Sequence, residues 1–322
     1  MGKERSFWQA AGGWRRRRQP TAASRPTVRG GADQRKALWI GMRLLLGTWL
    51  LVLASLPAQA QRVGWPRRDP TRAADDRATR EEALKLIPLE AMDATSRAQV
   101  DAVLSGLTIF RRLPVRVVPC DPELFLFLVR HPDVVVATWQ VLGISEMELH
   151  KIGAASYRLT DKWGTDAVAR FVYQDEDTHV VYVEGTCGGP LFARPARGSA
   201  LLLLKSGWVR EPDGRYYITA RLDAFVRVDN GGLELLTKAF QPVIGRVVDN
   251  NFTQTIAFVG CLSRTAEINP NGLRRLAAKL TPVDAPVRRR FAQLAVRVAE
   301  RAEATARSAS RRSSAASAET RR

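Results

Sequence analysis

The sequence predicts an α+β fold: an antiparallel sheet whose oily side is covered by a long C-terminal helix. Three observations carry this. From 216 to 228 the chain alternates strictly, with Ile218, Ala220, Leu222, Ala224, Val226 and Val228 on one side. Tyr217, Thr219, Arg221, Asp223 and Arg227 lie on the other, Phe225 being the exception, so one face is expected buried and one wet. Upstream, strand-like runs are separated by turn signals such as Asp175-Glu176-Asp177 and Pro212-Asp213-Gly214. After Asn230-Gly231-Gly232 the period changes: Leu233, Leu236, Phe240, Ile244, Val247, Val248, Phe252, Ile256 and Val259 form one helical stripe.

The elements follow in order. "MRLLLGTWLLVLASLPAQA", residues 42–60, has the parts of a secretory signal peptide: Arg43, an apolar stretch from Leu44, and the small residues Ala58-Gln59-Ala60 after Pro57. Its apolar run is too short for a membrane span, which needs about 20 residues. Cleavage is expected near Ala60, giving an exported protein of the periplasm or extracellular space. An uncleaved anchor and a transit peptide are the alternatives. Met42 is a better start than Met1, and residues 1–60 are set aside from the fold. Residues 61–108 read as a proline-punctuated linker followed by a helical segment in which Ser96 is a plausible N-cap.

"LPVRVVP", 113–119, reads as a short strand. Asp121-Pro122-Glu123 is a helix start, since a carboxylate can accept from free backbone N–H groups and proline has none to lose. "ELFLFLVR" continues it; His131-Pro132-Asp133 interrupts, and a second helix ends at Gly143. "MELHKIGAASYRLTD" is a candidate first strand, followed by the two hairpins. Pro242 is expected to kink or break the closing helix, and Asn269-Pro270 to end it. Residues 269–308 read as a linker and a basic amphipathic helix around Val287, Phe291, Leu294 and Val298, and 309–322 as a disordered Ser/Ala/Arg tail.

The net charge of +18 lies mostly at the ends: +9 in residues 1–60, +7 in 285–322 and only +2 between. A nearly neutral middle, and a tail without aromatics for base stacking, argue against specific nucleic-acid binding. The arginine tail suits an anionic membrane surface or another polyanion. His131, His150 and His179 are not at metal-ligand spacing, and no cofactor, phosphate loop or nucleophile elbow is recognisable. Cys120, Cys187 and Cys261 permit one disulfide and one leftover thiol, with buried or unpaired thiols the favoured reading. "GTCGGPLFARPARG", 185–198, reads as a connection, and no catalytic residue is assigned. Asp249-Asn250-Asn251 is read as the wet side of the closing helix, and Arg221 with Asp223 as a surface ion pair.

A strand, two short helices, antiparallel strands and one long helix, closing through "VDNGGLELLTKAFQPVIG", resembles the START-like (SRPBCC, helix-grip) superfamily over about Ile109 to Glu267, and the domain is bounded at 109–268. The resemblance implies a curved sheet wrapped around the last helix, with an apolar cavity between them. Ile218, Leu222, Val226, Phe240, Ile244 and Phe252 are the expected lining, and the ligand a lipid or other hydrophobic small molecule. A cyclase- or hydrolase-like enzyme in the same cavity, and a non-catalytic envelope interaction protein, are the alternatives.

Overall fold

The computed structural model describes Asp69 and residues 71–319 apart from Trp163, 188–195 and 230–240, and of Cys187, residues 241–244, Ala309 and 311–319 the backbone alone. The signal-peptide segment therefore lies outside the described residues. The helices are α1 (Arg77–Leu84), α2 (Ala94–Ser105), α3 (Pro122–Arg130), α4 (Pro132–Val141), α5 (Gln241–Ile268), α6 (Pro270–Lys279) and α7 (Ala285–Glu319). The strands are β1 (Ile109–Arg112), β2 (Arg116–Pro119), β3 (Glu148–Lys151), β4 (Ser156–Thr160), β5 (Asp166–Gln174), β6 (Thr178–Cys187), β7 (Ala196–Arg210) and β8 (Tyr216–Val228). They form one antiparallel sheet ordered β1-β8-β7-β6-β5-β4-β3, with β2 also on β8. The α3–α4 pair between β2 and β3, and the long α5 after β8, complete a helix-grip order of elements.

Local chemistry accounts for most boundaries. Asp121 Oδ1 accepts from the N–H groups of Glu123 and Leu124 at 3.0 and 3.1 Å, and Pro122 opens α3. Gly214, at φ +87°, closes the β7–β8 hairpin where an L side chain would be strained. The single expected strand over 147–161 is two, β3 and β4, because Ile152–Ser156 turns the chain back on itself. Ser96 is not the N-cap of α2. Asp93 is, accepting from Ser96 N at 2.8 Å, and the serine hydroxyl only braces that carboxylate.

The expectation of one wet sheet face fails over the middle of β8. Asp223 and Phe225 are fully buried. Helices α1 and α2 cover this face, where Ala83, Val100 and Val103 meet Phe110, Val180, Leu201, Leu203 and Phe225. Asp223 is therefore no surface partner. Arg112 donates to it from Nε and Nη2 at 2.6 and 3.1 Å, while Arg221 stands 3.6 Å away. A buried carboxylate needs such partners, because an uncompensated one costs several kcal/mol, roughly.

On the opposite, inner face the main core joins Ile218 and Ala220 to Phe252, Ile256, Val259 and Leu262 of α5, to α3 and α4, and to Phe291, Leu294 and Val298 of α7. The residues read as a linker after 269 include a real helix, α6, capped by Asn269. The helical backbone of α7 also runs past Ala309 to Glu319, where a disordered tail is expected; alanine, the best helix former, recurs through that stretch. Three of its arginines are engaged internally. Arg290 donates to Glu123 at 2.9 Å, Arg297 pairs with the same carboxylate, and Arg301 reaches both Asp121 (2.9 Å) and Glu123 (3.1 Å). Among the described residues no single helix is long and apolar enough to cross a membrane; the apolar pair α3 and α4 bends by 89° and packs in the core.

Candidate functional site

The sheet's inner face is not filled uniformly. Cross-strand partners share a face, so each rung can be read along the strands. One rung runs Leu222, Leu204 and His179. The next toward the far end runs Ala224, Leu202, Val181 and Phe171. Then come Val226, Ala200, Val183 and Ala169, and finally Val228, Gly198, Gly185 and Ala167. Side-chain volume falls rung by rung until the sheet is nearly bare backbone. Gly185 (φ +147°) and Gly198 are obligatory there: a Cβ on either would stand 2.2 or 2.3 Å from a neighbouring strand's carbonyl oxygen.

Above this thinning face lies the beginning of α5, which contributes Gly245 and Val248. Between them is a cavity of about 610 Å³, walled among others by Ile109, Ala167, Val183, Ala200, Val226 and Val248. That volume is in the usual range for small-molecule pockets, about 300–1,000 Å³.

Arg111 of β1 crosses this space to α5. It donates to Asp249 from Nε at 2.8 Å and from Nη2 at 2.5 Å, a bidentate pair with both side chains largely shielded from water. The pairing raises the guanidinium's already high pKa. Gly245 makes room for it, since a Cβ there would stand 2.9 Å from Arg111 Cζ. Asp249 is thus turned toward the sheet and not to the wet side of the helix, while Asn250 and Asn251 are exposed.

Of the residues expected to line the cavity, Val226 does. Ile218 and Phe252 belong to the packed core at the other end, and Leu222 packs against that core. Phe240 lies outside the described residues, as does the side chain of Ile244. Val247, expected in the helix stripe, is 41% exposed. Sequence reading missed Arg111 and the small residues Ala167, Gly185, Gly198 and Ala200; the signal was a set of glycines and alanines meeting at one end of neighbouring strands.

Apart from Arg111, the titratable groups whose pKa values burial displaces sit elsewhere. His179, at the start of β6, is fully buried and neither ring nitrogen has a hydrogen-bond partner. Burial, reinforced by Arg130, lowers its pKa from 6.5 to about 4, so the ring is neutral at ordinary pH. Burial also lowers His131 and raises Asp133. Cys120 and Cys261 are unbridged, and burial pushes the Cys120 thiol up to about 12. Among the described residues no three His, Cys, Asp or Glu side chains cluster as metal ligands would.

No family model and no curated protein matches the chain. Solved structures similar to it include a conserved protein from Geobacillus kaustophilus (15% identity, 45% of this chain and 90% of that one, TM-score 0.32). Ara h 8.0201 (13% identity, 47% and 95%, TM-score 0.32) and a truncated norcoclaurine synthase from Thalictrum flavum (12%, 48% and 96%, TM-score 0.31) are others. Similarity at this level adds nothing to the order of strands and helices already described, and the site has to be read from its own geometry.

Proposed function

We propose that this is an exported, non-catalytic binding or carrier protein holding one lipid or other apolar small molecule between the thinning end of the sheet and the first turns of α5. The observation that carries the reading is the cavity of about 610 Å³, whose sheet wall is built largely from glycine, alanine and valine. Small residues on adjacent strands leave a space the helix above does not fill, whereas protein interiors are otherwise close-packed. Binding is favoured over cavity-based catalysis because Cys120, His131, Asp133 and His179, whose pKa values burial shifts, do not line the cavity.

Export rests on the signal-peptide pattern of residues 42–60. The arginines beyond Arg301, five against two glutamates, would then meet anionic lipid or another envelope polyanion. Native mass spectrometry of the purified full chain tests the binding reading. A bound apolar molecule at one per chain, displaceable by a neutral dye such as Nile red, is the expected result. No retained molecule and no saturable dye uptake would end it.

A further inference from the structure

On the sheet's inner face the cavity's apolar wall ends at the guanidinium of Arg111, for which Gly245 leaves room. Resting on the carrier reading above, we propose that the ligand is a single-chain amphiphile with an anionic head group, and that this head takes Arg111 in place of Asp249. Three features point there. Gly245 stands in the first turns of α5, where alanine would favour the helix more, and its missing Cβ is what lets Arg111 lie against the backbone. The fork of Arg111 presents two parallel N–H donors, the geometry that grips a carboxylate or phosphate. Among the described lining residues Arg111 is the one cation on the sheet's inner face, Arg197 and Arg227 alternating onto the other side, so an acid group lying over the thinning rungs meets Arg111.

Asp249 then acts as an internal stand-in. It keeps the partly shielded arginine paired when the cavity is empty, and a ligand's acid group must displace it. That competition fixes the sign of an otherwise counterintuitive prediction. Removing the charge of Asp249 should strengthen binding of the anionic ligand, while removing Arg111 should weaken it.

The test compares hexadecanoate, hexadecanol and a lysophosphatidate, each displacing Nile red from the lipid-stripped full chain, with Arg111→Met and Asp249→Asn alongside the parent. Wild type should prefer an anionic chain to the alcohol by about ten-fold, equivalent to about 1.4 kcal/mol. Arg111→Met should erase that preference, and Asp249→Asn should increase it several-fold without moving the alcohol. Whether hexadecanoate or lysophosphatidate binds more tightly assigns the head as carboxylate or phosphate, and either result supports the proposal. Acid and alcohol moving together in both variants would reduce the pair to a tether and overturn it, leaving the carrier reading in place. Failure of all three ligands to displace bound Nile red would overturn the proposal alone, whereas failure of Nile red itself to bind would remove the carrier reading with it. Should Arg111→Met not fold, the gain expected of Asp249→Asn decides alone.

Discussion

The two ends of one sheet face differ more than the two faces do. At the end of Ile218 and Ala220 the inner face disappears under α5, α3, α4 and α7, and Ala220 is fully buried. At the end of Val226 and Val228, in the same strand and on the same side, there is a cavity. Strand alternation is identical at both ends, so hydrophobic pattern cannot be what separates them. The separation comes from size and cover. The solid end receives Phe252, Ile256 and Phe291 from above, and the hollow end receives Gly245 and Val248 over a floor of Gly185 and Gly198. A cavity arises where small residues on neighbouring strands happen to align, and nothing in one strand's own sequence announces it.

That comparison can be broken most forcefully by truncation. Phe252→Ala, in the solid end, should cost about 3–5 kcal/mol in chemical denaturation, as large-to-small changes in filled cores do. Val226→Ala, at the hollow end, should cost under about 1 kcal/mol, because its neighbours on one side are already missing. Equal losses would mean the cavity is filled by protein in solution.

Acid should attack the solid end next. The folded-state pKa of His179 lies near 4, below the ordinary 6.5, so between those values the unfolded chain holds a proton that the folded chain refuses. Stability is therefore full above pH 6.5 and falls as pH drops toward 4, by at most about 3 kcal/mol. His131 shifts in the same direction and Asp133 in the opposite one, so part of the loss is offset. Arg130 on α3 and Asp175 and Asp177 on the β5–β6 turn set the local field. The check is a series of melting curves from pH 7 to 4 for the parent and His179→Leu; the variant should show the shallower decline.

The smallest effect on stability, and a direct one on function, comes from filling the hollow end. Ala200→Phe points a ring into the cavity from its floor. It should leave the melting temperature nearly unchanged while weakening Nile red uptake at least about ten-fold, or 1.4 kcal/mol. Uptake that survives would place the bound dye elsewhere on the molecule.

Much of the architecture was legible. Alternation in β8, the turn at Pro212-Asp213-Gly214 and the start signal at Asp121-Pro122 are local effects of backbone sterics and hydrogen bonding, and they stand where the sequence placed them. The candidate site was legible only in part. Hydrophobicity and phase point to large residues as its lining, but Ile218 and Phe252 fill a core, while Val226 lines the cavity beside Ala200, which no periodic pattern marks.

By itself the sequence determined which residues form strands and helices, because hydrophobic period, caps and turns act within a few residues of one another. It determined as well that the charge is gathered at the chain's ends. Only the tertiary structure decided which rung meets which helix. It buried Asp223 under α1 and α2, turned Asp249 to Arg111 across a sequence separation of 138 residues, and lined up Gly185 with Gly198. Those outcomes depend on contacts between distant segments, and packing across such distances leaves no periodic trace along the chain.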